Sequence, residues 1–140
     1  MTDLIKFIVV DDEPNSTKLI AKVLGRKGYK VDEYNDSVAA KEKIEEGEYD
    51  IIISDLQMPA VTGEDLLKCK PENSLFIMIT GYGSIDSAVE SMKNGAFDYI
   101  SKPFSPEAIR GMVKKVLDVR ELRQRRGRGT QKVKEDHQFI

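Results

Sequence analysis

The sequence predicts an α/β fold in which a five-stranded parallel sheet is doubly wound, with helices on both faces. Three observations carry this. Four runs, Phe7–Val10, Ile51–Ser54, Phe76–Thr80 and Tyr99–Ser101, are apolar at consecutive positions, as strands covered on both sides are. A fifth, Lys30–Tyr34, alternates apolar with charged residues and reads as an edge strand. Segments of helical periodicity lie between the runs, so strand and helix alternate five times.

The elements follow in order. After the first strand, Pro14 suits a first helical turn. Leu19, Ile20, Val23 and Leu24 then form an apolar stripe, and Gly28 suits a left-handed stop. Beyond the edge strand, Ser37 opens a weaker helix through Ala40 and Ile44 that closes near Gly47. After the fourth strand, Ser84 can cap a helix with Ile85, Ala88, Val89 and Met92 on one face and Gly95 behind it. The last helix begins at Ser105-Pro106 and runs through Ile109, Val113, Val116 and Leu117. Ile109, Met112, Val116 and Val119 step by three, four and three, a heptad-like seam that Arg123 interrupts and Gly127 is expected to end. Core packing accounts for Ile109 and Val116, while Met112, Val119 and Leu122 suit a dimerising linker helix.

Composition narrows the chemistry. A chain of 140 residues with 40% apolar content is one domain with a real core. Its apolar runs are far shorter than a membrane span and nothing resembles a signal peptide, so a cytoplasmic protein with no membrane contact is expected. Cys69 is the single cysteine and His137 the single histidine, which excludes an internal disulfide and a His/Cys zinc cluster; any metal must be hard and oxygen-bound. Residues 120–140 hold seven Lys/Arg against three acids, a local +4. Since the whole chain carries −2, the first 119 residues carry −6. Residues 1–119 therefore read as the domain and 120–140 as a basic linker. The basic run lacks aromatics and a recognition module, so a solvated linker is favoured over direct nucleic-acid binding.

In such a sheet, chemistry collects at the carboxyl ends of the strands. The first strand ends in Asp11 and Asp12, the third in Asp55, the fourth in Thr80 and the fifth in Lys102 followed by Pro103. Carboxylates gathered there repel by roughly 3 kcal/mol per pair at about 5 Å and an effective dielectric of about 20. A cation must relieve them, and Mg²⁺, which takes one or two carboxylates and leaves room for phosphate oxygens, fits. Lys102 adds a mobile charge for a phosphoryl oxygen and Thr80 a hydroxyl donor. Metal, amine, hydroxyl and a spare carboxylate together describe phosphoryl transfer onto an aspartate. Asp55, directly behind an apolar strand, is the expected nucleophile, with Asp11 and Asp12 holding the metal. A phosphoryl group on Asp55 would add negative charge that attracts Thr80 and Lys102, which makes a switch. Taken alone, an Asp-Asp pair before Pro is more often a solvated turn; the order of these residues at four strand ends is what favours function.

The stretches "VVDDEP", "IIISDLQMP", "MITGYGS" and "YISKPF" resemble, in matching order over about residues 4–119, the motifs of receiver domains of two-component response regulators. The resemblance implies a flavodoxin- or CheY-like strand order 2-1-3-4-5. It makes Asp55 the phospho-acceptor, Asp11 and Asp12 the acidic metal pair, Gln57 a metal ligand through its backbone carbonyl, Thr80 the switch hydroxyl and Lys102 the phosphate-contacting amine. Tyr99 matches the switch aromatic, and the bond before Pro103 is one that the family commonly has in cis. A sensor histidine kinase is the implied phosphoryl source, with slow self-dephosphorylation and no other enzymatic activity. "TGYGSIDSAVESMKNGAFDYISKPF" looks most like receivers of NtrC-type activators, which work with sigma-54 RNA polymerase through an AAA+ ATPase. The final "HQFI" resembles the junction where that ATPase begins, so AAA+ and DNA-binding domains are expected beyond this chain, whose own residues hold no Walker A motif. Only eleven residues separate Gly63 from Leu75, fewer than the family usually has, so the third helix, around Glu64–Lys70, is expected to stop short before Pro71.

Rival functions fare worse. An FMN carrier needs a phosphate loop where this chain has three acids, and "GYGSID" lacks the third glycine of a dinucleotide fingerprint, with Asp86 in its place. The nearest alternative is a Mg-dependent aspartyl phosphatase, which usually has a second acid two residues after the nucleophile, where Gln57 stands.

Overall fold

The computed structural model describes residues 5–81 and 85–128. Phe7–Val10, with no exposed surface, form most of β1 (Lys6–Val10), and every side chain of β3 (Ile51–Asp55) and β4 (Leu75–Thr80) is buried. Continuous apolar runs are thus the interior of the sheet, because both faces of these strands are covered. β2 (Lys30–Tyr34), the alternating run, is one edge, and β5 (Asp98–Ser101) the other, in the order β2-β1-β3-β4-β5 with all pairs parallel. The Tyr99–Ser101 run, which its sequence predicts to be covered on both sides, lies instead at an edge with alternate residues exposed. Three residues are too few to separate a buried run from a half-exposed one.

Odd and even strand positions build two cores. Phe7, Val9, Ile51, Ile53, Ile77 and Ile79 face α1 (Pro14–Arg26) and α5 (Pro106–Arg128), whose Ile20, Leu24, Ile109 and Val116 close that layer. Ile8, Val10, Ile52, Phe76 and Met78 face α2 (Ser37–Glu45) and α3 (Gly63–Cys69) through Ala40, Ile44, Leu66 and Leu67. Each fully buried Ile, Leu or Phe contributes roughly 1.5–3 kcal/mol, so the sheet is the stable body on which the loops are mounted. α4 (Ile85–Lys93) lies between β4 and β5. Gly28 and Gly95 take positive φ, as their places behind α1 and α4 require. The cap expected of Ser84 lies outside the described residues.

Two helices depart from ordinary length. α3 has only seven residues, ending before Pro71 as its sequence implied, and a reciprocal cap between Thr62 and Asp65 supports its start. α5 has 23 residues and passes through Gly127 without ending there. A single glycine weakens a helix by only about 1 kcal/mol, too little to stop one flanked by good helix formers. Met112 is half-buried against the core, Val119 is half-buried, and Leu122 is half exposed. Arg120 ties α5 to the start of β3, with Nη2 3.0 Å from Asp50 Oδ1. Residues 129–140, with Lys132, Lys134 and the final "HQFI", lie outside the described residues. No described helix is long and apolar enough to cross a membrane.

The connection from β3 to α3 contains a strained residue. Ala60 has φ +68°, and Val61 N–H donates to Pro59 O over 2.8 Å, closing a three-residue γ-type turn around it. Ser37 Oγ donates to Pro59 O at 2.9 Å and pins this turn to α2. An L side chain at positive φ costs about 1 kcal/mol or more. Ala60→Gly is therefore expected to raise unfolding free energy by about 1 kcal/mol, read from urea denaturation.

Candidate functional site

The parallel register aligns the strand ends. Val10 pairs with Ser54, Asp55 with Ile79 and Thr80 with Ser101, so residues following these positions share one rim. Asp11 lies there with no exposed surface, Asp55 is 7% exposed and Asp12 is open to solvent. One carboxylate oxygen from each lies within 4.8 Å of the other two. Lys102 reaches into this group from the β5–α5 loop, its backbone N–H held by Thr80 O at 2.9 Å. Its Nζ is 3.0 Å from Asp11 Oδ2 and 3.5 Å from Asp55 Oδ2, and it also touches Glu13 Oε1.

Asp11 is the most constrained member. Its backbone N–H donates to Tyr34 O at 3.1 Å, its carbonyl accepts from Asn35 Nδ2 at 2.7 Å, and Oδ1 accepts from Glu13 N–H at 2.9 Å. Oδ2 is close to the Lys102 ammonium but off-line for a hydrogen bond; it is the one buried side-chain polar atom without one among the described residues. An orphaned, buried carboxylate oxygen facing two further carboxylates is a donor set for a hard cation. The residues present fit Mg²⁺.

Depth does not single out Asp55, since Asp11 is buried further. The two differ in engagement: Asp11 is held by Glu13 N–H and the ammonium, whereas among the described residues the Asp55 carboxylate receives the long Lys102 contact alone and keeps some surface open. Burial, and secondarily the charge of Asp11, push the Asp55 carboxyl up to about 6, against the opposing pull of Lys102. Burial alone would lower Lys102, but Glu13, Asp11 and Asp55 outweigh it and hold the amine above its usual range.

Of the other expected residues, Thr80 is buried at the end of β4 on the same rim, and Gln57 stands exposed two residues beyond Asp55. The Lys102–Pro103 bond is cis. Tyr99 is apart from the acids, on the β5 edge with its side chain 37% exposed. Two residues gained no role from sequence reasoning. Glu13 is one; its charge was visible, but not its reach across 89 positions to Lys102. Gly63 is the other, because a Cβ there would fall 2.3 Å from Asp55 O and 2.8 Å from Leu56 Cα. The only local sign of it is a glycine at the first position of a helix, where its low propensity is unexpected.

The family profile of the response regulator receiver domain matches residues 7–114. This chain belongs to the response regulator receiver domain family. Among solved structures, the receiver resembles a CheY-like response regulator receiver domain from Methanospirillum hungatei, with TM-score 0.78 and 30% identity over 86% of this chain and 99% of that one. It also resembles the beryllofluoride-activated NtrC4 receiver domain dimer, with TM-score 0.74 and 34% identity over 82% and 98% of the two chains. The C4-dicarboxylate transport transcriptional regulatory protein DctD of Pseudomonas aeruginosa is 30% identical over 118 residues, 82% of this chain. The response regulator protein PilR of the same organism is 31% identical over the same share. This receiver spans about a quarter, 26%, of the length of each of those two relatives.

The raised Asp55 carboxyl sets a pH dependence. Its folded value, about 6, exceeds its ordinary 3.8, so the folded state binds the extra proton between them. The resulting stabilisation is complete below pH 3.8 and is lost as pH rises through about 6. In chelator, Asp55→Asn is expected to exceed the native protein in stability by about 1 kcal/mol at pH 7.5, after allowing for screening, and to match it near pH 4. Urea unfolding at both pH values measures this, and Mg²⁺ at pH 7.5 should narrow the gap.

Proposed function

We propose that this receiver is a phosphorylation-controlled switch that accepts a phosphoryl group on Asp55 from a sensor histidine kinase. The observation that carries the reading is the convergence of Asp11, Asp12 and Asp55 within 4.8 Å, with the Lys102 amine among them. Mg²⁺, held by Asp11, Asp12, Asp55 and the Gln57 carbonyl, would neutralise charge on the phosphoryl oxygens. An Asp55 oxygen attacks phosphorus in line; the P–N bond to the kinase histidine breaks as the P–O bond forms, and the departing nitrogen keeps the electron pair and takes a proton. Lys102 then binds one phosphoryl oxygen and the Thr80 hydroxyl donates to another. Thr80 moving toward the phosphoryl group would leave space for Tyr99 to turn inward, which alters the surface beside β5.

The alternating exposure of β5 supports a mobile Tyr99, and α5 supports an output path. The helix runs unbroken past residue 119, with Leu122 exposed, so a homodimer through the C-terminal helical face is the proposed consequence of phosphorylation. That helix would lead from the domain at 1–119 into a basic linker at 120–140. The motif resemblance extends the proposal to a cytoplasmic sigma-54-dependent activator whose AAA+ and DNA-binding domains are not part of this chain. Nothing favours the phosphatase reading, since Gln57 cannot serve as its second acid.

With acetyl phosphate and Mg²⁺, intact mass is expected to rise by one phosphoryl group, and chelator or Asp55→Asn should abolish the gain. An undiminished gain in Asp55→Asn would sink the assignment. In size-exclusion chromatography with beryllofluoride and Mg²⁺, a shift toward dimer is expected that Leu122→Glu reverses.

A further inference from the structure

Glu13 has no place in the proposed chemistry, yet its carboxylate is in contact with Lys102. It belongs to no metal-ligating group, since the clustered acids are Asp11, Asp12 and Asp55. As the N-cap residue of α1 it has extended backbone, and its side chain makes no capping hydrogen bond. The carboxylate instead projects over the rim, 63% exposed, and meets an ammonium whose own side chain is 14% exposed. Lys102 is thus stretched between a buried floor, Asp11, and a solvated rim, Glu13, with Asp55 its most distant carboxylate partner at 3.5 Å.

A cation bound at Asp11 would compete with the ammonium for the same carboxylate. Two partners then remain for Lys102: Asp55 with its incoming phosphoryl group, and Glu13. We propose that Glu13 is a positioning residue that holds Lys102 aside and thereby sets the rate at which Asp55 accepts phosphoryl groups. The inference rests on Asp55 being the acceptor. An amine drawn toward Glu13 is less available to stabilise charge on the transferring group, so uptake scales with the fraction of molecules in which it has turned toward Asp55. An exposed ion pair of this kind shifts such an equilibrium by about two- to fivefold, which makes it a modest brake that is readily released.

Two variants separate reach from charge. Glu13→Ala removes the carboxylate without losing a cap, because none is made. Glu13→Asp keeps the charge but shortens the side chain and favours turning it inward as an N-cap. Phosphoryl uptake from acetyl phosphate with saturating Mg²⁺ is followed by intact mass in low salt, with far-UV circular dichroism as a folding control. Both variants are expected to gain mass about two- to fivefold faster than the native protein, and added NaCl should shrink the difference as the exposed pair is screened. Native-like rates in Glu13→Ala would overturn the inference. So would native behaviour in Glu13→Asp, which would assign the effect to repulsion of the anionic donor, or an advantage that salt leaves unchanged. If the native protein gains no mass at Asp55, the acceptor reading fails and this inference with it; if it gains mass and both variants match it, only the role of Glu13 falls.

Discussion

A carboxylate with no exposed surface, Asp11, sits at the end of the first strand, and the site is organised around making that tolerable. Burying a charge without a partner is among the costliest acts in folding. Asp11 is compensated by the Glu13 N–H on one oxygen and the Lys102 ammonium near the other, and the second contact is poorly directed. Compensation is therefore incomplete, and Asp55 and Asp12 add to the debt. A site in this condition gains from any hard cation and from any rearrangement that redistributes the amine. In the proposed switch, frustration of this kind would let a small chemical change at one side chain move others.

The sheet supplies the rigidity that the frustrated rim lacks. β1, β3 and β4 are buried on both faces, so the positions of Asp11, Asp55 and Thr80 are set by two packed cores rather than by the loops that follow. Gly63 adds a fixed stop behind Asp55, with its missing Cβ giving the start of α3 access to the Asp55 carbonyl. Ala60 stores backbone strain in the same connection.

The elements at the far edge are less enclosed than the central strands. β5 is an edge with Tyr99 partly exposed, and α5 runs on to Arg128, with Arg120 and Asp50 making an anchoring ion pair at the opposite end of the sheet from the acids. Shortening α3 to seven residues leaves these features untouched, because α3 covers the other face, with α2. Lys102, in the loop between β5 and α5, is the residue that joins the acids to the start of the long helix.

Much was legible in the linear chain because burial leaves a local signature. Consecutive apolar residues in β1, β3 and β4, the stripe of α1, and the acids, hydroxyl and amine that terminate successive strands are all readable from order alone. The exposure of β5, the continuation of α5 through Gly127, and the roles of Glu13 and Gly63 were not. The first rests on a missing neighbour strand and the contact of Glu13 on an amine 89 positions away, while the two glycines are local cases that pattern does not reveal: a helix carried by its flanks, and a backbone carbonyl within 2.3 Å of an absent methyl. Sequence by itself determined which chemical groups stand at the rim, because strand order in the chain dictates it. Tertiary structure alone decided how one ammonium is shared among three carboxylates, since that balance is a matter of ångströms and of which charges water can reach.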